Sequence, residues 1–352
     1  MAGENTAARQ EAKQTSASQA LLVAACFVVI IAGMRAAQSL LVPFLLSIFI
    51  SIICGPMLAW LRKKGLPAGL ALLAVILAVL AAGTLIGVLV GSSIHDFSQS
   101  LPLYQERLAE KMTALTRFLS GFGLQLSENL IFNYVDPGAA MGLASNLLTG
   151  IGSMLSNAFL ILLTVIFILM EAASFPAKMQ AAFSSSGKYL ENLERVVAKV
   201  NSYMAIKTWV SLATGALVAF WLFVLGVDFP LLWGILAFLF NYVPNIGSII
   251  AAVPAVLLAL VQHGSSTALL AAAGYAVVNV IIGNVIEPRF MGKGLGLSTL
   301  VVFLSLVFWG WVLGPVGMLL SMPLTMTVRI ALATSEETRW LNILLGTDSQ
   351  TS

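Results

Sequence analysis

Asn241, Tyr242, Pro244, Asn245, Gly247 and Ser248 fall within eight residues of an otherwise apolar stretch. Two amides, a phenol, a hydroxyl and backbone groups loosened by proline and glycine bind neutral, hydrogen-bonding solutes. A second break, Gly314-Pro315-Val316-Gly317, offers freed backbone without polar side chains. Between the two breaks stand Asn279, Asn284, Glu287 and Arg289. Glu287 closes a window of 58 residues (229–286) with no charge, so its carboxylate suits proton or cation carriage. The structural alternative pairs it with Arg289 at the membrane interface, both side chains reaching water. Asn279 and Asn284 do not share one helix face well. They fit hydrogen bonds across helices or the lining of a path.

No catalytic set accompanies these residues. Cys26 and Cys54 lie inside apolar runs, His95 and His263 are isolated, and no His/Asp/Glu cluster or serine–base pairing occurs at working spacing. Neither an enzyme, a metal site nor a bound cofactor is expected. Gly292, Gly294 and Gly296 surround Lys293 as a flexible turn rather than a phosphate loop, because no Lys-Ser/Thr pair follows. A net charge of +3 carries no nucleic-acid signal.

The elements that hold these residues follow from composition. Of 352 residues, 18 are Lys or Arg and 15 Asp or Glu, a charged fraction of 9%, while 59% are hydrophobic. Ordinary soluble domains carry roughly 25% and 45–50%. With mean hydropathy at +0.97, the bilayer is the solvent. Uncharged windows run over 14–34, 36–61, 65–95, 137–170, 208–227, 229–286 and 294–328. They suit helices of about 20 residues and are too long and uniform for lumen-lining strands of about ten. The chain therefore reads as an all-α polytopic integral membrane protein of about seven to eight transmembrane helices.

The predicted spans cover 21–34, 39–60, 66–92, 148–170 and 208–227, followed by the two broken windows. Residues 1–20 form a polar cytoplasmic N-terminus and 21–93 carry the first three spans. An external amphipathic helical region covers 94–146, and the fourth span 147–171. A cytoplasmic amphipathic region covers 172–207, the C-terminal bundle 208–330 and a cytoplasmic tail 331–352. The first span does not read as a cleavable signal, since a polar segment without net positive charge precedes it. With both termini inside, Lys and Arg divide 14 inside to 4 outside, or 12 to 6 if the 287–293 turn is external. Either count obeys the positive-inside rule.

Two stripes recur at helical spacing: Tyr104, Leu108, Met112, Leu115 and Leu119, then Leu190, Leu193, Val197, Val200 and Met204. They suit ordinary packing or contact with another protomer, and a homo-oligomer is expected. Windows 229–262 and 299–328 read either as re-entrant helical hairpins or as single kinked spans. Pro244, Gly247 and Pro254 are faintly echoed by Pro315, Gly317 and Pro323, and paired interruptions of this kind point to a transporter's binding site. As hairpins, their tips would meet mid-membrane. Pro288 is expected to end its helix near Glu287.

The blocks NYVPNIGSIIAAVPA (241–255), NVIEPRFMGKGLGLSTLVVFLSLVFWGWVLGPVGMLLSMPLT (284–325) and LLVPFLLSIFIS (40–51) resemble the autoinducer-2 exporter family of bacterial membrane proteins. Its motifs map onto Asn241, Pro244, Asn245, Gly247, Glu287, Pro288, Arg289, Gly314, Pro315 and Gly317. The resemblance implies a multi-pass protein of the bacterial inner membrane that moves a small molecule outward, above all autoinducer-2 in quorum sensing. Other members resemble sodium–proton antiporters in their assigned activity. The reading that follows is a secondary exporter of a small neutral polar signal, with protons or sodium as coupling ions. Sodium- or lithium-proton antiport is the alternative, and a non-transporting membrane scaffold the alternative of another class.

Overall fold

The computed structural model describes residues 21–120, 142, 157–172, 178, 187–244, 246–291 and 298–334. Among these residues the chain is helical and contains no strand. Helix α1 covers Leu21–Ala36, α2 Gln38–Lys63, α3 Ala68–Ser120, α4 Ala158–Ala172 and α5 Gly187–Val224. Short helices α6 (Pro230–Phe240) and α7 (Gly247–His263) follow. Next, α8 (Ser265–Asn279) continues through a π-helical segment, Val280–Ile286, into α9 (Glu287–Met291). The last element, α10, spans Thr299–Thr334.

Among the described residues, five stretches are long and apolar enough to cross a membrane: Gln38–Lys63, Ala68–Lys111, Val200–Val224, Ser265–Phe290 and Thr299–Arg329. Side chains such as Phe44, Trp209, Phe220 and Leu269 are exposed on their outer faces, as a lipid-facing surface requires. The protein is an all-α polytopic membrane protein.

Two of these helices run past the predicted boundaries. A 53-residue α3 is about 80 Å long, far more than a hydrocarbon core of about 30 Å. Its stripe turns inward where side chains are described: Tyr104 and Leu108 are buried, while Glu106 and Glu110 are exposed. Likewise α5 passes through 207 without interruption, and Val200 and Met204 of the second stripe are buried. The remaining members of both stripes lie outside the described side chains, as do the tail and most of 121–156. The described members of both stripes pack rather than stand free.

Both broken windows fold back as hairpins. In the first, the Asp228 backbone N–H donates to Gln262 Oε1 (3.1 Å) at the base, while Gly247 N–H donates to the Val243 carbonyl (3.3 Å) at the tip. Leu232, Trp233, Leu236 and Ala237 of α6 share one core with Ala251, Ala255, Leu258 and Val261 of α7. At 11 residues, α6 is about 16 Å long and cannot span alone.

The second reverses inside α10 at Gly314, whose φ of 69° and ψ of −155° suit glycine alone. Trp309 Nε1 donates to Thr325 Oγ1 at 3.0 Å, although 16 residues of straight helix would hold them about 24 Å apart. What is long enough to span by count is therefore two arms, 299–313 and 315–334.

Candidate functional site

The first hairpin presents its tip to α5. Asn241 Nδ2 donates to Ser211 Oγ at 2.9 Å. Tyr242 is buried, and its hydroxyl donates to Thr208 Oγ1 (2.9 Å), which in turn donates to the Met204 carbonyl (2.7 Å). Phe49 and Phe238 meet its ring edge-on, with centroids 5.2 and 5.7 Å away. Gly247 allows the turn to close: a Cβ there would stand 1.8 Å from the Phe240 carbonyl oxygen. Ser248 is half-buried beside it, and Asn245 lies outside the described residues.

A cavity of about 300 Å³ opens against this tip. Pro244 and Ile246 form one wall, and Thr299, Leu300, Val302, Phe303 and Leu306 of the first arm of α10 form the other. Its lining is mainly apolar, with the polar groups of the tip turned behind it toward α5.

Lys207 forms an ion pair with Glu287 on the same face of α5, Nζ to Oε1 at 2.6 Å, with side chains only 7% and 18% exposed. Buried charges at this depth persist when paired. The partner of Glu287 is thus Lys207, eighty residues away, and not Arg289, which is exposed on α9. Pro288 does not end its helix either. The π segment absorbs it: the Glu287 N–H bonds to the Ile282 carbonyl five residues back, and the helix continues to Met291. Asn279 and Asn284 are exposed at the start and within this segment.

The two hairpin tips do not meet. Gly314 lies beside the Gln38 side chain at the amino-terminal end of α2, and Trp311 stacks against Arg35 at the end of α1, with its ring centroid 4.7 Å from the guanidinium carbon. Tyr242 sits against Phe49, eleven residues along, or about 16 Å of helix. Gly314, Pro315 and Gly317 are therefore separated from the Asn241–Ser248 group. What the first tip meets is the opening arm of the second hairpin.

Tyr203, Lys207, Thr208 and Ser211 complete this polar face, and none of them is among the site residues expected from the sequence. A signal was present. Tyr203, Lys207, Ser211 and Thr214 recur every three or four residues through an apolar segment, as one polar helix face does.

Over residues 24–337 the sequence matches the family described as AI-2E family transporter. The chain belongs to that family. This AI-2E transporter is 41% identical to the AI-2 transport protein TqsA of Escherichia coli K12 over 91% of its own length and 93% of TqsA. It is 42% identical to a Haemophilus influenzae protein (93% and 95% covered) and 40% identical to YhhT of Escherichia coli K12 (93% of each chain). Neither of the latter names specifies a cargo. Several apolar helices and bacterial transporter relatives make this AI-2E transporter a multi-pass protein of the bacterial inner membrane.

Proposed function

We propose that this transporter exports a small, neutral, polar signal of the autoinducer-2 kind by secondary transport, binding it at the tip of the first hairpin. The observation that carries this reading is the break at 241–247 facing a cavity of about 300 Å³, at the lower end of the volumes that small ligands occupy. Interrupted helices with freed backbone groups are where transporters hold cargo. Asn241, Tyr242, Ser211 and Thr208 supply donors and acceptors where the same tip meets α5. The 41% identity to TqsA supports the choice of cargo. The chain carries no nucleotide-binding motif, so an ion gradient is the energy source that fits.

The reading is tested in everted vesicles containing the protein. Labelled autoinducer-2 should accumulate in them, and an Asn241→Ala/Asn245→Ala protein should lose most of that accumulation. Equal accumulation by this variant would remove the tip as the site. No accumulation by the parent would remove the cargo.

A further inference from the structure

Lys207 and Glu287 join α5 to the junction of the π segment and α9, two elements packed side by side. The groups around the carboxylate are few. From α5, Lys207 pairs with it and the buried Tyr203 faces it one turn earlier; Tyr242 of the hairpin tip stands against Tyr203. The π segment itself, Val280–Ile286, contributes no titratable side chain, and Arg289 of the same helix is exposed. One carboxylate and one ammonium therefore balance each other behind the Asn241–Tyr242 tip.

The element that carries Glu287 is the less stable form of helix. Seven residues of π geometry end at this carboxylate, whose own N–H makes the i to i−5 bond. Relaxing one such register to α geometry turns the following side chains by about 100°. That rotation would carry Glu287 out of reach of Lys207. While the pair holds, the carboxylate is fixed and the wide segment is held with it. We infer that the Lys207–Glu287 pair is the proton-coupling element of the export cycle, an inference that rests on the function proposed above.

The step balances simply. A proton adds to the Glu287 carboxylate, its Nζ–H···Oε1 contact breaks, and Lys207 keeps its three protons as an ammonium. That leaves one uncompensated positive charge in a buried position, which the closed geometry does not tolerate. Protonation and separation of α9 from α5 then occur together, and by linkage a proton gradient biases the cycle in one direction. Release of that proton from Glu287 restores the pair.

Proteoliposomes carrying the wild type, Glu287→Gln, and Lys207→Met/Glu287→Gln test this in two measurements. The double variant leaves no lone buried charge and guards against a single variant that fails to fold. First, gradient-driven accumulation of labelled autoinducer-2 is compared with exchange of label against unlabelled autoinducer-2 at equal pH. Coupling predicts that accumulation falls roughly tenfold or more while exchange falls far less. Second, a Thr299→Cys reporter at the cavity, in a Cys26→Ser/Cys54→Ser background, is labelled with a membrane-impermeant maleimide at acid and alkaline pH. The reagent's own pH dependence is common to all variants and cancels in the ratio. The ratio should differ severalfold between the wild type and both neutral variants. Unchanged accumulation in the variants, equal loss of accumulation and exchange, sodium-driven accumulation without proton movement, or identical labelling ratios would each overturn the inference. A wild type that neither accumulates nor exchanges autoinducer-2 would remove the cargo reading alone, and the labelling ratio then decides the coupling.

Discussion

The two hairpins answer the same sequence problem differently. Each interrupts an apolar stretch with proline and glycine, and each reverses so tightly that a Cβ at one glycine would strike a carbonyl of the other arm: 1.8 Å from Phe240 O at Gly247, 2.0 Å from Trp309 O at Gly317. Their polar groups are spent differently. In the second, the Trp309 indole bonds Thr325 within the hairpin, and the tip is backed by Arg35 at the end of α1 and Gln38 at the start of α2. In the first, Asn241 and Tyr242 reach out of the hairpin to α5. The second uses its indole inside the hairpin, whereas the first is closed at its base by Asp228 and Gln262 and turns its tip groups to a neighbour. A tip hydrogen-bonded to another helix is coupled to that helix's movement, which is what the proposed cargo site would use.

The strongest way to break this comparison is at the close approaches. Gly247→Ala and Gly317→Ala each force two backbones apart, and each should cost about 3 kcal/mol or more. Both should abolish a monodisperse, heat-stable protein in detergent, read by fluorescence-detected size exclusion after a temperature ramp. If Gly317→Ala alone is tolerated, the second window is a kinked rod and the likeness between the hairpins fails.

A middle-sized effect separates their roles. Tyr242→Phe removes one hydrogen bond, worth about 1 kcal/mol in stability, and Trp309→Phe removes one together with part of a buried ring, worth about 2 kcal/mol. Trp309→Phe should lower the melting temperature and leave the transport rate within about twofold of the wild type, since its bond closes the hairpin on itself. Tyr242→Phe should in addition weaken apparent affinity for cargo roughly fivefold. Equal transport by the two would remove the distinction. The smallest effect belongs to Trp311→Leu, which ends the contact with Arg35 at an exposed position and should shift stability by about half a kcal/mol. A larger shift would mean that the second tip is held from outside as firmly as the first.

Much of the architecture is legible in the order of residues because it depends on local chemistry. A proline without an N–H close to a glycine without a Cβ weakens a helix locally, so the breaks at Pro244–Gly247 and Gly314–Pro315 are visible in advance, whereas Pro43, Pro56, Pro102 and Pro254 lie inside continuous helices. Pro288 shows the limit of that rule. A widened helix takes it in without ending, because the π segment before it re-forms the backbone bonds one residue out of step.

The candidate site was legible by half. Asn241, Tyr242 and Glu287 stand out as polar groups in apolar surroundings, yet their partners Ser211, Thr208 and Lys207 sit 30, 34 and 80 residues away. Lys207 in particular looks like any basic residue at the end of a span until its carboxylate is found.

What the sequence determined alone was the solvent, the helices and the places where helices must break, since hydropathy and backbone sterics act over a few residues. Only the tertiary structure decided which break faces which neighbour. It set the two tips about 16 Å apart along α2 rather than together, put the opening arm of α10 across a cavity from Pro244, and gave Glu287 to Lys207 instead of Arg289. A buried charge takes the partner that packing brings within reach, and packing depends on faces of helices far apart in the chain.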